Sequence, residues 1–240
     1  MVKPVVMRNL HGQVVQELGR MIVSGEIAPG ENLLREELLA ERMKVSRTAL
    51  REAIKVLSAK GLIESRQKTG TRVRDTVYWN QLDADVLAWR CASMPTDDFV
   101  EKLAEMREII EPAAAASAAR RRTAEQLARI ESAYEAMAAS NDREAWSVAD
   151  LAFHEAVLYA THNELMTSLF AVIETALGSY LALSARKASD FKYSLPQHKK
   201  VLDAIRRRRP EVARDAMQKM VTDSRSNIRR HARSRAVPAT

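Results

Sequence analysis

The stretch from Leu33 to Arg74 constrains this chain most. Two short helical patterns, broken near Lys44-Val45, precede two strand-like runs, Ile63-Glu64-Ser65 and Thr71-Arg72-Val73, which Arg66 to Gly70 separate. In the second helix Val45, Ala49, Ala53, Ile54 and Leu57 recur at three and four residues as one apolar stripe. Ser46 is placed to cap that helix. Arg47, Arg51 and Lys55, spaced by four, form a basic line off the stripe. A helix buried on one side and basic on the other suits the DNA major groove, where cations meet phosphates and arginine reaches a guanine edge. A solvated surface helix would carry the same basic line; the two-helix unit and the hairpin around it favour the groove.

The segment resembles the winged helix-turn-helix of GntR-type bacterial transcription regulators. The residues that carry the likeness are Ile22-Val23-Ser24-Gly25 with Pro29-Gly30, then Leu38-Leu39-Ala40, Val45-Ser46-Arg47-Thr48, Leu50-Arg51-Glu52-Ala53, Leu57, Gly61-Leu62-Ile63 and Gly70-Thr71. The resemblance implies that Arg47, Thr48 and Arg51 touch operator DNA and that Gly70 lies at the tip of the wing, in the minor groove. Lys55 on the same basic line and Lys68 in the wing join the DNA-binding set. One departure stands out: the family's Leu-Pro-Ser-Glu-Arg is here Leu33-Leu34-Arg35-Glu36-Glu37, so Glu37 replaces a frequent DNA-contacting arginine and Arg35 is the candidate substitute.

The remaining composition fits a mostly helical chain. With seven Gly and seven Pro among 240 residues and 5% aromatic content, turn formers and strand formers are few. The net charge is +7, and the first 75 residues hold 14 Lys plus Arg against 9 Asp plus Glu, so most of the excess lies where a polyanion would need it. A lone cysteine, Cys91, excludes an internal disulfide and fits a reducing, cytoplasmic setting. No run approaches the roughly 18 apolar residues of a membrane span, and no apolar signal core opens the chain, so export is not expected.

In chain order, residues 1–7 show little periodicity. Leu10, Val14, Leu18, Met21 and Ile22 predict a helix over 8–24 packed under the DNA-reading helix. Asp75 to Asn80 is the linker candidate, read as a packed hinge, before a helical pattern with Leu82, Val86, Leu87 and Trp89. Thr96 or Asp97 caps a helix with Val100, Leu103, Met106, Ile109 and Ile110 inward, where Pro112 is a possible kink. Thr123 caps the next, with Leu127, Ile130, Tyr134 and Met137 inward. Further helices are expected over 143–160, 163–184 and 195–208, and a last one opened by Pro210. Arg206 to Arg209 reads as a solvated cluster at a helix end.

Asp150 and His154 lie four apart on one helical face. A buried histidine held by that carboxylate is the plain alternative to a ligand site. His198 opens a later helix, where a histidine without special duty would be equally ordinary. Residues 97–230 resemble the all-helical effector domain of the FadR-type branch, through Glu105-Met106-Arg107 with Glu111-Pro112, Asp150-x-x-Phe153-His154, His162-Asn163, and His198 with Leu202 and Ile205. The resemblance implies that Asp150, His154 and His198 match three of four positions that hold a divalent metal in many relatives. The fourth falls on Met220, whose thioether suits such an ion poorly; Asp223 lies one turn on. Either one Zn, Ni or Mn ion sits on three protein ligands plus water or effector oxygens, or the site works without metal. Arg107 either pairs with Glu111 or Glu105, or, as the family position implies, faces the effector cavity, where its fork suits a carboxylate. Leu82-Asp83-x-Asp85-Val86-Leu87-x-Trp89 and the missing fourth histidine resemble the galactonate-operon repressor branch. That likeness implies a sugar-acid effector, bound near Arg107, Asp150, His154 and His198.

The expected architecture is therefore mostly α: a winged helix-turn-helix over 1–75, a linker and connecting helix over 76–95, an all-α helical-bundle effector domain over 96–232, and a disordered tail over 233–240. The expected function is a homodimeric, operator-binding transcription regulator released by a small carboxylate, with no membrane partner. A metal-dependent enzyme fused to a DNA-binding domain and an effector-independent architectural DNA binder are the alternatives.

Overall fold

The structure, a computed structural model, describes residues 10–66, 70–93, 97–184 and 192–235. Contacts divide the chain into two compact units, Met1–Pro95 and Thr96–Thr240.

The first unit opens with α1 (Leu10–Val23), then α2 (Glu36–Arg42), α3 (Arg47–Ala59), β1 (Ile63–Arg66), β2 (Gly70–Val73) and α4 (Ala84–Ser93). Ser46 caps α3 by accepting from the Ala49 amide at 3.1 Å, which satisfies a backbone donor that the helix itself cannot. The apolar side of α3 buries Leu50, Ala53, Ile54 and Leu57 against α1, whose Val14, Leu18 and Ile22 complete the same core. Leu50 is part of this stripe as well, whereas Val45 and Ala49, expected within it, are only half-buried. The turn between α2 and α3 places Lys44 in the left-handed region at φ 53°.

β1 and β2 form an antiparallel hairpin pairing Ile63 with Val73 and Arg66 with Gly70. A third edge was not anticipated. The lead-in to α2 runs beside β2, with the Gly30 amide donating to Val73 O at 2.9 Å, the Val73 amide to Glu31 O at 2.9 Å and the Leu33 amide to Thr71 O at 2.8 Å. Asn32 thereby bridges Arg72.

Residues 76–95, read as linker and connecting helix, carry a single 3-10 turn, Thr76–Tyr78, and then α4. Both are packed. Trp79 is buried and donates its indole N–H to Arg74 O at 2.9 Å. The Trp89 indole donates to Gln16 Oε1 on α1 at 2.7 Å, and the half-buried Lys60 ammonium lies 2.8 Å from carboxylate oxygens of both Asp83 and Asp85. Leu82, expected in the inward stripe, is exposed, while Val86, Leu87 and Trp89 are buried.

The second unit comprises α5 (Asp97–Arg121), α6 (Ala124–Ala139), α7 (Arg143–Tyr159), α8 (Glu164–Ser168), α9 (Phe170–Ser184), α10 (Leu195–Arg206) and α11 (Pro210–Arg235). Helix α5 lies at the centre, touching α7, α9, α10 and α11. Its run Ala114, Ala115, Ala116, Ala118 and Ala119 is buried, and such small side chains let neighbouring helices approach closely. The helix runs continuously through Pro112. Ile109, expected inward, is 63% exposed; Arg107, Ile110 and Glu111 hold the inward positions instead. The single helix expected over 163–184 is two, α8 and α9, meeting at Leu169. Thr123 and Gln126 cap α6 reciprocally, the Gln126 amide donating to Thr123 Oγ1 at 3.1 Å and the Thr123 amide to Gln126 Oε1 at 2.8 Å. Arg206 to Arg209 does more than meet solvent. Arg206 pairs with Glu131 and Asp203, and Arg208 donates to the Arg120 and Arg122 carbonyls at the end of α5.

Candidate functional site

Arg47, Thr48, Arg51 and Lys55 are all exposed along the outer side of α3, opposite the buried stripe. Arg35 occupies the cap position of α2, also exposed. Gly70 opens β2 at φ 87°, with open space where a Cβ would stand; that conformation favours glycine. Lys68 lies outside the described residues. The basic line is not bare. Arg47 Nη1 lies 3.1 Å from Glu37 Oε1, Arg51 Nε donates to Glu36 Oε2 at 2.8 Å, and Lys55 donates to Glu52 at 2.8 Å.

In the second unit α5, α7 and α10 bring Arg107, Glu111, Asp150, His154 and His198 together, all buried. Asp142 caps α7 by accepting from the Ala145 amide at 2.8 Å, and the helical repeat from there turns Asp150, Phe153, His154 and Val157 inward. His198 sits in the first turn of α10, its Nδ1 donating to Ser194 O at 2.9 Å. His198 Nε2 lies 2.9 Å from Asp150 Oδ1, and His154 Nε2 lies 3.9 Å from the same oxygen. On its other side His154 Nδ1 approaches Glu111 Oε2 at 2.5 Å, while Glu111 Oε1 accepts from Arg107 Nε. Aromatic edges enclose the group: Phe153 stands 5.0 Å from the His198 ring centre and 5.9 Å from that of His154, with Trp146 6.2 Å from His198.

Two of these contacts constrain where the rings carry hydrogen. A backbone carbonyl only accepts, so His198 Nδ1 bears the hydrogen; a carboxylate only accepts, so His154 Nδ1 does as well. Were a cation to replace the Nε2 protons, both Nε2 atoms would converge with it on one carboxylate oxygen, Asp150 Oδ1. Two imidazole nitrogens and a carboxylate oxygen facing one another in a buried site form a set that could hold a cation. Burial pushes the Asp150 carboxyl up, but His198, His154 and Arg107 outweigh it and hold Asp150 below its usual range. Burial acts on Glu111 in the same sense, and Arg107 with His154 overcomes it, lowering Glu111 to about 2.

Among the described residues Asp150, His154 and His198 are the one cluster of three or more His, Cys, Asp or Glu with ligand atoms within 4.8 Å of one another. Asp223, half-buried on α11, is not part of it. Met220 is buried on the same helix. Of Arg107's two candidate partners, the structure selects Glu111 over Glu105. Glu111, named in the sequence only as that partner, also meets His154; the contact spans 43 residues and has no sequence signal. A separate groove of about 1010 Å³ runs along the other side of α6 and α7, lined by Arg129, Ala133, Val148, Ala152 and Tyr159 among others. None of the cluster residues lines it, so its size says nothing about their chemistry.

Comparisons with known proteins agree with both units. Residues 10–73 match the bacterial regulatory proteins of the gntR family, and residues 102–223 match the FCD domain. The galactonate operon transcriptional repressor of Escherichia coli (strain K12) is 35% identical over 223 residues, spanning 92% of this chain and 97% of that protein. The HTH-type transcriptional regulator LutR of Bacillus subtilis (strain 168) is 37% identical over 158 residues, 65% of this chain and 70% of its own. Among solved structures, Lar, which controls expression of the agr system of Listeria monocytogenes, superposes with a TM-score of 0.64 at 21% identity. That likeness covers 96% of this chain and 99% of Lar, and it shows the fold alone. No described helix is long and apolar enough to cross a membrane. The matched relatives are transcription regulators rather than enzymes, and this chain, with its winged helix-turn-helix and its FCD domain, belongs to the GntR family of bacterial transcription regulators.

Proposed function

We propose that this regulator represses a sugar-acid catabolic operon and leaves its operator when a small carboxylate, an aldonate such as galactonate, binds the FCD domain. It acts as a homodimer on an inverted repeat, with Arg47, Thr48, Arg51 and Lys55 in the major groove, Arg35 beside them and Lys68 and Gly70 in the wing. The observation that carries the effector half is the convergence of Asp150 Oδ1 with the Nε2 atoms of His154 and His198 beside the buried Arg107. Two imidazoles and one carboxylate suit Zn, Ni or Mn with coordination positions left open. A divalent ion held by these three residues would supply a Lewis-acidic anchor for carboxylate and hydroxyl oxygens. Glu111 and the Ser194 carbonyl orient the two rings from behind, as outer partners of histidine ligands commonly do. Arg107, whose Nε is on Glu111, offers the rest of its fork to a carboxylate. The repressor named above, which this chain resembles over nearly its whole length, supports the choice of acid.

Effector binding must favour one arrangement of the protein over another to change operator affinity. The test is fluorescence anisotropy of the full-length protein on the promoter region beside its own gene, titrated with aldonates and uronates, with and without chelator. Release by one acid class, lost in His154→Ala together with bound metal, is the expected result. Affinity indifferent to every acid would leave an effector-independent DNA binder. Wild-type operator affinity in Arg47→Ala or Arg51→Ala would remove that residue from the DNA contacts.

A further inference from the structure

The arginines of α3 do not wait for DNA unaccompanied. Between Glu36 and Ala59 the chain carries five Lys or Arg against four Glu, so the cations of this segment stand among nearly as many carboxylates. Two of those glutamates project from α2 to the arginines of α3, and each takes one edge of a guanidinium. Glu36 Oε2 accepts from Arg51 Nε at 2.8 Å, and Glu37 Oε1 lies 3.1 Å from Arg47 Nη1. All four side chains remain exposed to a docking partner.

We propose that Glu36 and Glu37 are specificity-determining positioning residues: each holds an α3 arginine by one edge, aims the rest of its fork at a base, and repels the phosphate backbone of unrelated DNA. The inference rests on the reading of α3 as the major-groove helix. With its Nε taken by Glu36, Arg51 presents the paired Nη groups, the geometry that engages guanine O6 and N7 in bidentate fashion. A guanidinium already oriented loses less freedom on reaching its base. On an unrelated duplex no base edge rewards that orientation. Binding there depends almost wholly on neutralising phosphates, and two carboxylates beside the backbone oppose it. The glutamates therefore act with opposite sign on the two kinds of DNA. Neutralising them strengthens indiscriminate binding, whereas at the operator the relief of repulsion is offset by the loss of aim. An exposed ion pair shifts an equilibrium by about two- to fivefold, so the two together change the operator-to-unrelated affinity ratio by about tenfold.

The experiment measures affinity of the full-length protein for its operator and for an unrelated duplex of equal length, over a range of salt, in wild type, Glu36→Gln, Glu37→Gln and the double variant. The ratio is expected to fall about tenfold in the double variant, chiefly through tighter binding to the unrelated duplex. In a panel of single-base-pair operator changes, Glu36→Gln should flatten the preference at the pair that Arg51→Ala also flattens, and Glu37→Gln at the pair lost with Arg47→Ala. Gln preserves size and the helical backbone, and unchanged thermal unfolding checks this. If the arginine variants lose operator binding but the glutamine variants keep the wild-type ratio and base profile, the proposal is overturned while the docking of α3 stands. If the arginine variants bind the operator normally, both are overturned.

Discussion

Replacing Glu111 with Gln tests whether the buried cluster is held by charge. In the native protein Glu111 and Arg107 are each 2% exposed and bonded to one another, and the second Glu111 oxygen meets His154 at 2.5 Å. The carboxyl falls from 4.5 to about 2; at about 1.4 kcal/mol per pH unit, its surroundings favour the charged form by roughly 3–4 kcal/mol. Removing one partner of a buried pair costs about 3–5 kcal/mol, because the other charge is left without compensation. For a chain of this size the corresponding fall in Tm is about 6–20 °C, at about 2–4 °C per kcal/mol. Differential scanning calorimetry at neutral pH measures it. The pH dependence carries a definite sign. Because the folded value lies below the unfolded one, the stabilisation is fully present above pH 4.5 and is lost as pH falls toward about 2. The gap between wild type and Glu111→Gln should therefore narrow across that window and stay constant above it. Arg107→Met combined with Glu111→Leu removes both charges and should regain most of the loss, since apolar replacements of whole buried pairs are neutral or stabilising by about 1–4 kcal/mol. A single variant that melts within about 1 °C of wild type, or a gap that ignores pH between 4.5 and 2, would refute the reasoning.

Other perturbations follow from local geometry. A Cβ added at Gly19 would stand 2.4 Å from the Trp89 ring, so Gly19→Ala should destabilise the first unit by about 1–3 kcal/mol and shift its tryptophan fluorescence. Thr123→Ala removes half of the reciprocal cap on α6 and should cost about 1 kcal/mol in urea unfolding. His154→Ala should reduce affinity for added Zn or Mn by at least about tenfold in calorimetric titration; unchanged affinity would dismiss the ligand set.

What could be read from the sequence follows from where the signal resides. The stripe of α3 and its Ser46 cap are local and periodic, so the helix and its exposed basic line were legible. So was the i,i+4 pair of Arg107 and Glu111. Ile109 was misplaced because an apolar pattern assumes an apolar interior, and here the inward face of α5 carries Arg107 and Glu111. The break at Leu169 went unseen because neither Gly nor Pro marks it. Contacts between distant segments leave no periodicity: Glu111 against His154, Glu36 against Arg51, and Arg208 on the carbonyls ending α5 arise only once helices pack. The plain alternative for His154, a core histidine held by a carboxylate, describes its contact with Glu111 well. What lifts the group above that alternative is His198, whose approach to Asp150 from a third helix no spacing rule could supply.

The pairing of residues 30–33 with β2 has a mechanical meaning. Main-chain bonds stitch the hairpin to the segment that launches α2, so on the proposed docking the probe for one groove and the reader of the other would be set at a fixed gauge. Side-chain substitutions on either surface can change which bases are preferred, but the spacing between the two points of contact stays with the backbone. On that docking, new operator preferences would be open to exposed mutations, while the distance between the two contact points would not.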